Sequence, residues 1–171
     1  MSGNSSAAGQ PTALQAAFRT AMASVCTPVS VVTTLADGLP YGTTVSAFAS
    51  LSMEPPMLLV SLDCGSDLLA LVRQTARFGL NVLASTQTDL ALNFARKGGA
   101  GKFAGVLWEV AAAVPRIPEA ASFAACAVDQ IVPAGDHVVV FGRVLIAASA
   151  SSPPLTYQAR AFGTHAPVPP A

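Results

Sequence analysis

Apolar positions recur with two different periods along the chain, and each change of period marks an element. Leu14, Phe18, Met22 and Val25 follow one another at three- and four-residue steps behind Thr12, a residue suited to capping, so an amphipathic helix is expected between Pro11 and Val25 with its apolar face laid on a sheet. The period then shortens. Residues 28–35 (PVSVVTTL) are β-branched and end at Asp37-Gly38, a strong hairpin turn, beyond which GTTVSAF continues in extended form. Pro55-Pro56 interrupts the chain before MLLVSL at 57–62, which reads as a buried strand. Ser66 then stands where it can cap a short helix reaching Gln74, and a further strand is expected at 78–83. Thr86 and Asp89 have capping-box spacing, with Asp replacing the usual Glu or Gln. They introduce a helix that ends near Arg96-Lys97, before the glycine stretch GGAG. Two long β segments, 123–132 and 137–147, are joined by the turn Pro133-Ala134-Gly135-Asp136. About three short helices around six or seven strands linked mostly by turns predict an antiparallel barrel with helical covers.

Composition sharpens that picture. A chain of 171 residues fits one domain, here 11–163, between a disordered tail at 1–10 (MSGNSSAAGQ, neither basic nor apolar enough for a signal peptide) and a Pro-rich tail at 164–171. Hydrophobic residues make up 52% and charged residues 11% of the chain. A soluble domain usually carries about a quarter charged residues. Too few charges are present to coat a monomer, so a homodimer is expected. Nine basic residues balance nine acidic ones with no basic stripe, which speaks against nucleic acid or an anionic membrane as partner. No apolar run approaches the roughly 18 residues of a membrane span, and a cytoplasmic location is expected. Cys26, Cys64 and Cys126 are widely spaced in apolar surroundings and read as reduced core thiols. With His137 and His165 as the two histidines and no cysteine pair at ligand spacing, no metal site is expected.

Two segments carry candidate chemistry. GAGKFA at 99–104 matches the relaxed dinucleotide pattern G-x-G-x-x-A, but that fingerprint leaves a strand and opens a helix, whereas this one follows a helix. A P-loop fails as well, because Arg96 occupies the first glycine position and Phe103 the magnesium-binding hydroxyl position. What remains is Arg96, Lys97 and Lys102 on a glycine-built loop, which fits either a phosphate cradle or cations complementing a helix C-terminus. In residues 42–52 (GTTVSAFASLS), small and hydroxyl side chains stand where a strand would normally be bulky. A flat heteroaromatic ligand can lie on such a strand; a Ser/Thr-rich surface strand is the simpler alternative. No G-x-S-x-G elbow marks a nucleophile.

TPVSVVTT, GTTVSAFASLSMEPPMLLVSL, FGLNVL, FARKGGAGKFAG, PAGDHVVVFGRV and PLTYQARAF occur in that order over residues 13–163. Together they resemble the short-chain flavin reductase family, the NAD(P)H:flavin oxidoreductases that supply reduced flavin to two-component monooxygenases. The resemblance implies an FMN-binding split β-barrel, antiparallel and Greek-key, forming a homodimer with FMN or FAD near the subunit interface and NADH or NADPH as donor. Carried onto this chain, Thr33, Thr34, Thr43, Thr44, Val45, Ser46 and Ala47 would line the isoalloxazine, while Ser50, Ser52, Ser66 and Lys102 would contact the ribityl chain and phosphate. His137, in the family's GDH motif, would sit beside the nicotinamide, with Tyr157, Arg160 and Phe162 closing or positioning that region. The segment VAAAVPRIPEAASF at 110–123 departs from the family, whose members more often have a glycine-containing connection there. The implied function is hydride transfer from NAD(P)H to flavin N5, with reduced flavin passing to a partner monooxygenase. Such a transfer needs two stacked rings more than a strong acid or base, in keeping with a chain that shows no catalytic triad. The alternatives are a split-barrel oxidase that keeps its flavin, and a flavin- or haem-binding module without turnover.

Overall fold

A computed structural model describes residues 10–168, so the expected N-terminal tail lies outside the described residues except for Gln10, and the expected C-terminal tail lies outside them from residue 169 onward. The helix α1 (Ala13–Ala23) leads to β1 (Thr27–Pro28), β2 (Ser30–Ala36), β3 (Leu39–Val45), β4 (Phe48–Met53) and β5 (Pro56–Asp63). Then come α2 (Asp67–Thr75), β6 (Arg77–Val82), α3 (Thr88–Ala95) and a 3₁₀ turn at Gly99–Phe103. The hairpin β7 (Glu109–Ala111) and β8 (Val114–Arg116) precedes the long strands β9 (Ser122–Ala134) and β10 (His137–Ser149), and β11 (Leu155–Gln158) with β12 (Ala161–Thr164) completes the chain.

Seven strands form one antiparallel sheet in the order β3-β2-β6-β9-β10-β5-β4, which matches the strand number expected for the barrel. Its two edges, β3 and β4, are consecutive in the chain and are joined by Ser46 and Ala47, so the backbone itself turns the corner that closes the barrel. The other strands are short: β1-β11-β12 form a small sheet, and β7-β8 form the hairpin. That hairpin takes up residues 109–116, the first part of the 110–123 segment. Its turn places Ala112 and Ala113 at φ +49° and +64°, values that favour glycine, so this connection adopts the backbone of a glycine turn without the glycine.

Strand β2 is buried along nearly its whole length because it feeds two cores. Val32 faces the barrel interior with Val60, Leu69, Phe78, Leu80 and Val140. Val31, together with Val29 just before the strand, faces the opposite way, into a second cluster with Leu83, Phe94, Phe103 and Leu155. A run with both faces covered loses the alternation of a half-exposed strand, which is why PVSVVTTL reads as continuously apolar. Gly142 lies at a register shift between β9 and β10, and a Cβ there would overlap the Phe78 ring and Cys126, so the barrel core closes over a position that admits no side chain.

Several local expectations change in the structure. The Thr12 capping box forms, with Gln15 as its partner, but α1 buries none of its residues and does not cover a sheet; Leu14 is 79% and Phe18 65% exposed. The expected core thiols divide: Cys126 is buried in the barrel, whereas Cys26 and Cys64 are exposed. Helix α3 starts at Thr88 behind Gln87, not at Thr86, because the Gln87 side chain accepts from Ala84 N–H and donates to Pro118 O, pinning the turn that precedes the helix. Strand β12 extends to Thr164, held by Thr164 Oγ1 donating to Pro154 O, one residue past the expected domain end at 163. No helix among the described residues is long and apolar enough to cross a membrane.

Candidate functional site

Phe103 builds the glycine loop. Its ring enters the second core and meets Phe94 edge-on at 4.8 Å and Trp108 at 6.0 Å, so the chain on either side must return to the surface. Asn93 Nδ2 donates to Lys102 O at 2.6 Å and Lys102 Nζ donates to Phe94 O at 3.1 Å, tying the loop back to the end of α3. The ammonium is thus held at a fixed place and partly withdrawn from water. Burial lowers the Lys102 pKa, and the nearby Asp67 carboxylate partly opposes that shift.

The same loop forms one wall of an open cleft of about 600 Å³, which is bounded by β3 and by the turn from β5 into α2. Arg96, Lys97 and Lys102 supply its cations, Asp63 and Asp67 its carboxylates, and Tyr41, Thr43 and Ser66 further polar groups. Ser66 stands at the N-cap of α2 as expected and lines the cleft, but its side chain makes no capping bond. His137 is tied to the cleft through strand register rather than through its lining. It opposes Asp63 in the β10–β5 ladder, and Asp136 O accepts from Cys64 N–H at 3.0 Å, which locks the two turns together. The imidazole Nδ1 lies 2.8 Å from Asp136 Oδ1, and this bond holds the Asp136 carboxyl below the usual carboxylate range.

Lys102, Thr43 and Ser66 therefore come together in one cleft, whereas His137 is not part of its lining and is linked to it as the strand partner of Asp63. Other expected residues sit elsewhere. Thr33 and Thr34 are fully buried, and their hydroxyls serve the interior: Thr33 Oγ1 donates to Pro115 O at 2.6 Å and Thr34 Oγ1 to Arg77 O at 2.9 Å. With Asn81, which donates to Val31 O and accepts from Ile117 N–H, Thr33 fastens the β8 end of the hairpin onto the sheet. Neither threonine presents a surface to a ligand bound to this protomer. Thr44 Oγ1 donates to Ala91 O, and Val45 is buried in the barrel. Ser46, Ala47 and Ser50 are exposed at the barrel corner and along β4, and Ser52 Oγ accepts from Glu54 N–H. Ser50 lines a separate shallow groove with Phe48, Leu58 and Ala147. Tyr157, Arg160 and Phe162 lie on the β11–β12 hairpin, where the Tyr157 and Phe162 rings pack at 5.1 Å and Arg160 sits in the tight turn at φ +65°; none of the three lines the cleft.

Sequence reasoning missed Tyr41, Asp63 and Asp67 as cleft residues. Asp63 ends β5, Asp67 opens α2 and Tyr41 lies within β3, and only the folding of β3 beside the β5–α2 turn brings them together. Among the described residues, no group of His, Cys, Asp and Glu side chains is gathered as a metal ion would require.

Residues 22–166 match the flavin reductase like domain, and the chain belongs to that family. It is 35% identical over 153 residues to the reductase component of 4-nitrophenol 4-monooxygenase/4-nitrocatechol 2-monooxygenase of Rhodococcus opacus, covering 90% of this chain and 82% of that one. Similarity to the FMN reductase (NADH) SmoA of Agrobacterium fabrum is 35% over 147 residues, 85% of this chain and 83% of that protein. Among solved structures, nitrilotriacetate monooxygenase component B from Mycobacterium thermoresistibile superposes with a TM-score of 0.86 at 29% identity, over 92% of this chain and 90% of that one.

Proposed function

We propose that this protein is an NAD(P)H:flavin oxidoreductase that reduces FMN or FAD and supplies the reduced flavin to a separate monooxygenase. The observation that carries the reading is the Lys102 ammonium, fixed on the cleft wall by the Phe103 anchor, in a chain whose relatives are named as flavin reductases and monooxygenase reductase components. The residues present fit a flavin. Ser46 and Ala47 leave the backbone at the barrel corner open to a flat ring, and the cations of the cleft suit an anionic tail. When bound, the flavin accepts at N5 the hydride carried on the nicotinamide C4. This chain's own part is to hold and orient. Lys102 binds the phosphate, Ser66 adds a hydroxyl, and His137, steadied by Asp136, orients the nicotinamide.

The same reading includes a homodimer, with the flavin near the subunit interface. Leu14, Phe18 and Met22 on α1, Leu51 and Met53 on the edge strand β4, and Leu145 and Ile146 on β10 are large apolar side chains left in solvent by one protomer. Ser46, Ala47 and Ser50 are exposed on this protomer, so a ring laid there would take a second wall from the partner copy.

The test is the fate of the electrons. With NAD(P)H and free flavin in air, the purified protein should consume nicotinamide and accumulate peroxide. Addition of a flavin-dependent monooxygenase with its substrate should divert those electrons into hydroxylated product. Flavin that stays bound through many turnovers, with no hydroxylation across a membrane permeable only to small molecules, would rule out diffusive delivery.

A further inference from the structure

The charges of the cleft fall short of the anion it is to hold. Arg96, Lys97 and Lys102 share the lining with Asp63 and Asp67, which leaves one net positive charge. A phosphomonoester carries about 1.5 to 2 negative charges at neutral pH. Cations alone would hold such a group tightly, and the two carboxylates work against them.

Bonding separates the two acids. Asp63 ends β5, and its Oδ1 accepts from Gly65 N–H at 2.7 Å, so this carboxylate shapes the turn that leads into α2. Asp67 opens α2 and is exposed. Among the described residues it makes no ion pair; the acids that do are Glu109, Asp129 and Asp136. Its charge nevertheless reaches across the cleft, because the Asp67 carboxylate raises the Lys102 pKa against the lowering by burial. A carboxylate that attracts the Lys102 ammonium repels a phosphate bound to that same ammonium. We infer that Asp67 is a release residue, whose carboxylate opposes the flavin phosphate at Lys102, keeps flavin binding weak and so sets how fast reduced flavin leaves. That the phosphate belongs to a flavin rests on the reductase reading; the repulsion of a phosphate does not. A reductase that passes its product to a second protein must let it go on every turnover, and at a fixed association rate about tenfold in affinity is about tenfold in dissociation rate.

Asp67→Asn keeps the size of the side chain and removes its charge. In a cleft open to water, one unit charge near a phosphate changes affinity by about three- to tenfold. FMN titrated by quenching of its fluorescence should therefore bind Asp67→Asn about fivefold tighter than wild type, and stopped-flow displacement of bound FMN should be slower by about the same factor. Riboflavin, the same ring and ribityl chain without the phosphate, should bind the two proteins equally. Asp67→Glu restores the charge and should return FMN toward the wild-type affinity, and high salt should shrink the difference between wild type and Asp67→Asn. Thermal unfolding monitors the fold, and Asp67→Ser, which also suits the start of a helix, repeats the comparison if Asp67→Asn unfolds. FMN affinity that is unchanged or weaker in the uncharged variant overturns the inference. So does an equal tightening of riboflavin, which would assign the effect to shape and not to charge. Isothermal titration with inorganic phosphate separates this inference from the reading beneath it. Flavin reduction by a wild-type protein whose Asp67→Asn variant binds FMN and phosphate no tighter would defeat this inference alone. Tighter phosphate binding by Asp67→Asn, in a protein that reduces no flavin, would defeat the reductase reading and leave the action of Asp67 on a phosphate standing.

Discussion

Replacement of Lys102 by Met keeps the apolar stem and removes the ammonium, and its consequence follows from the contacts that side chain makes. Nζ donates to Phe94 O at 3.1 Å, so the cation enters the bound state already sharing a proton with a carbonyl. A hydrogen bond from a charged group contributes about 1.5–3 kcal/mol, and a neutral one about 1 kcal/mol. Allowing for the donor capacity that Phe94 O already takes, the loss on flavin binding should be about 1–2 kcal/mol, a rise in Kd of roughly 5- to 30-fold. Folding should change by less than about 1 kcal/mol, because the lost bond to the carbonyl is offset by the release of a half-buried charge. The assay is quenching of flavin fluorescence by wild type and Lys102→Met, with thermal unfolding as control. A pH arm sharpens it. Burial lowers the Lys102 pKa, so the protonated form that binds phosphate is lost on the way up in pH earlier than for a solvated lysine. Flavin affinity should fall through that alkaline window in wild type, and the fall should be missing in Lys102→Met. Equal flavin affinity in the two proteins would refute the phosphate assignment.

Three further outcomes are expected. His137→Ala should raise KM for NAD(P)H or lower kcat while flavin affinity stays nearly intact, and the reverse pattern would move the imidazole into the flavin site. Phe18→Glu, on the exposed face of α1, should shift sedimentation from dimer toward monomer, and wild-type protein that is monomeric and active at nanomolar concentration would contradict the dimer itself. Thiol reagents should label Cys26 and Cys64 in the folded protein and reach Cys126 only on unfolding. Burial pushes the Cys126 thiol up to about 12, above its ordinary 9.0, so its contribution to stability is complete below pH 9 and is lost as pH rises from there toward 12.

Much of the barrel could be read from local pattern. The Asp37-Gly38 turn, the buried run at 57–62 and the long pair at 123–132 and 137–147 announced themselves through β-branched runs and turn residues, and the structure forms strands at all of them. The loop of Lys102 could also be read, because cations spaced by glycines stand out. Partnership could not. Thr33 and Thr34 have the composition of a ligand-facing strand, yet their hydroxyls bond Pro115 O and Arg77 O, acceptors that lie 82 and 43 residues away in sequence. Periodicity identified the apolar face of α1 but not what covers it, since a helix that packs within its own chain and one that awaits a second copy share the same spacing. Asp63 and Tyr41 were silent for a related reason. Such a residue gains meaning only from the element that folds against it, and the neighbour here is the loop after α3.

The most direct test of the flavin reductase reading is a count of flavin reduced per protein without oxygen. A small amount of purified protein is mixed anaerobically with excess NADH and excess free FMN or FAD, and bleaching of the flavin's visible absorbance is followed to completion. The account predicts that all the added flavin is reduced, many equivalents per protein, with one NADH oxidised for each. Bleaching that stops at one equivalent per protein, or NADH that remains unoxidised with either flavin, would contradict it.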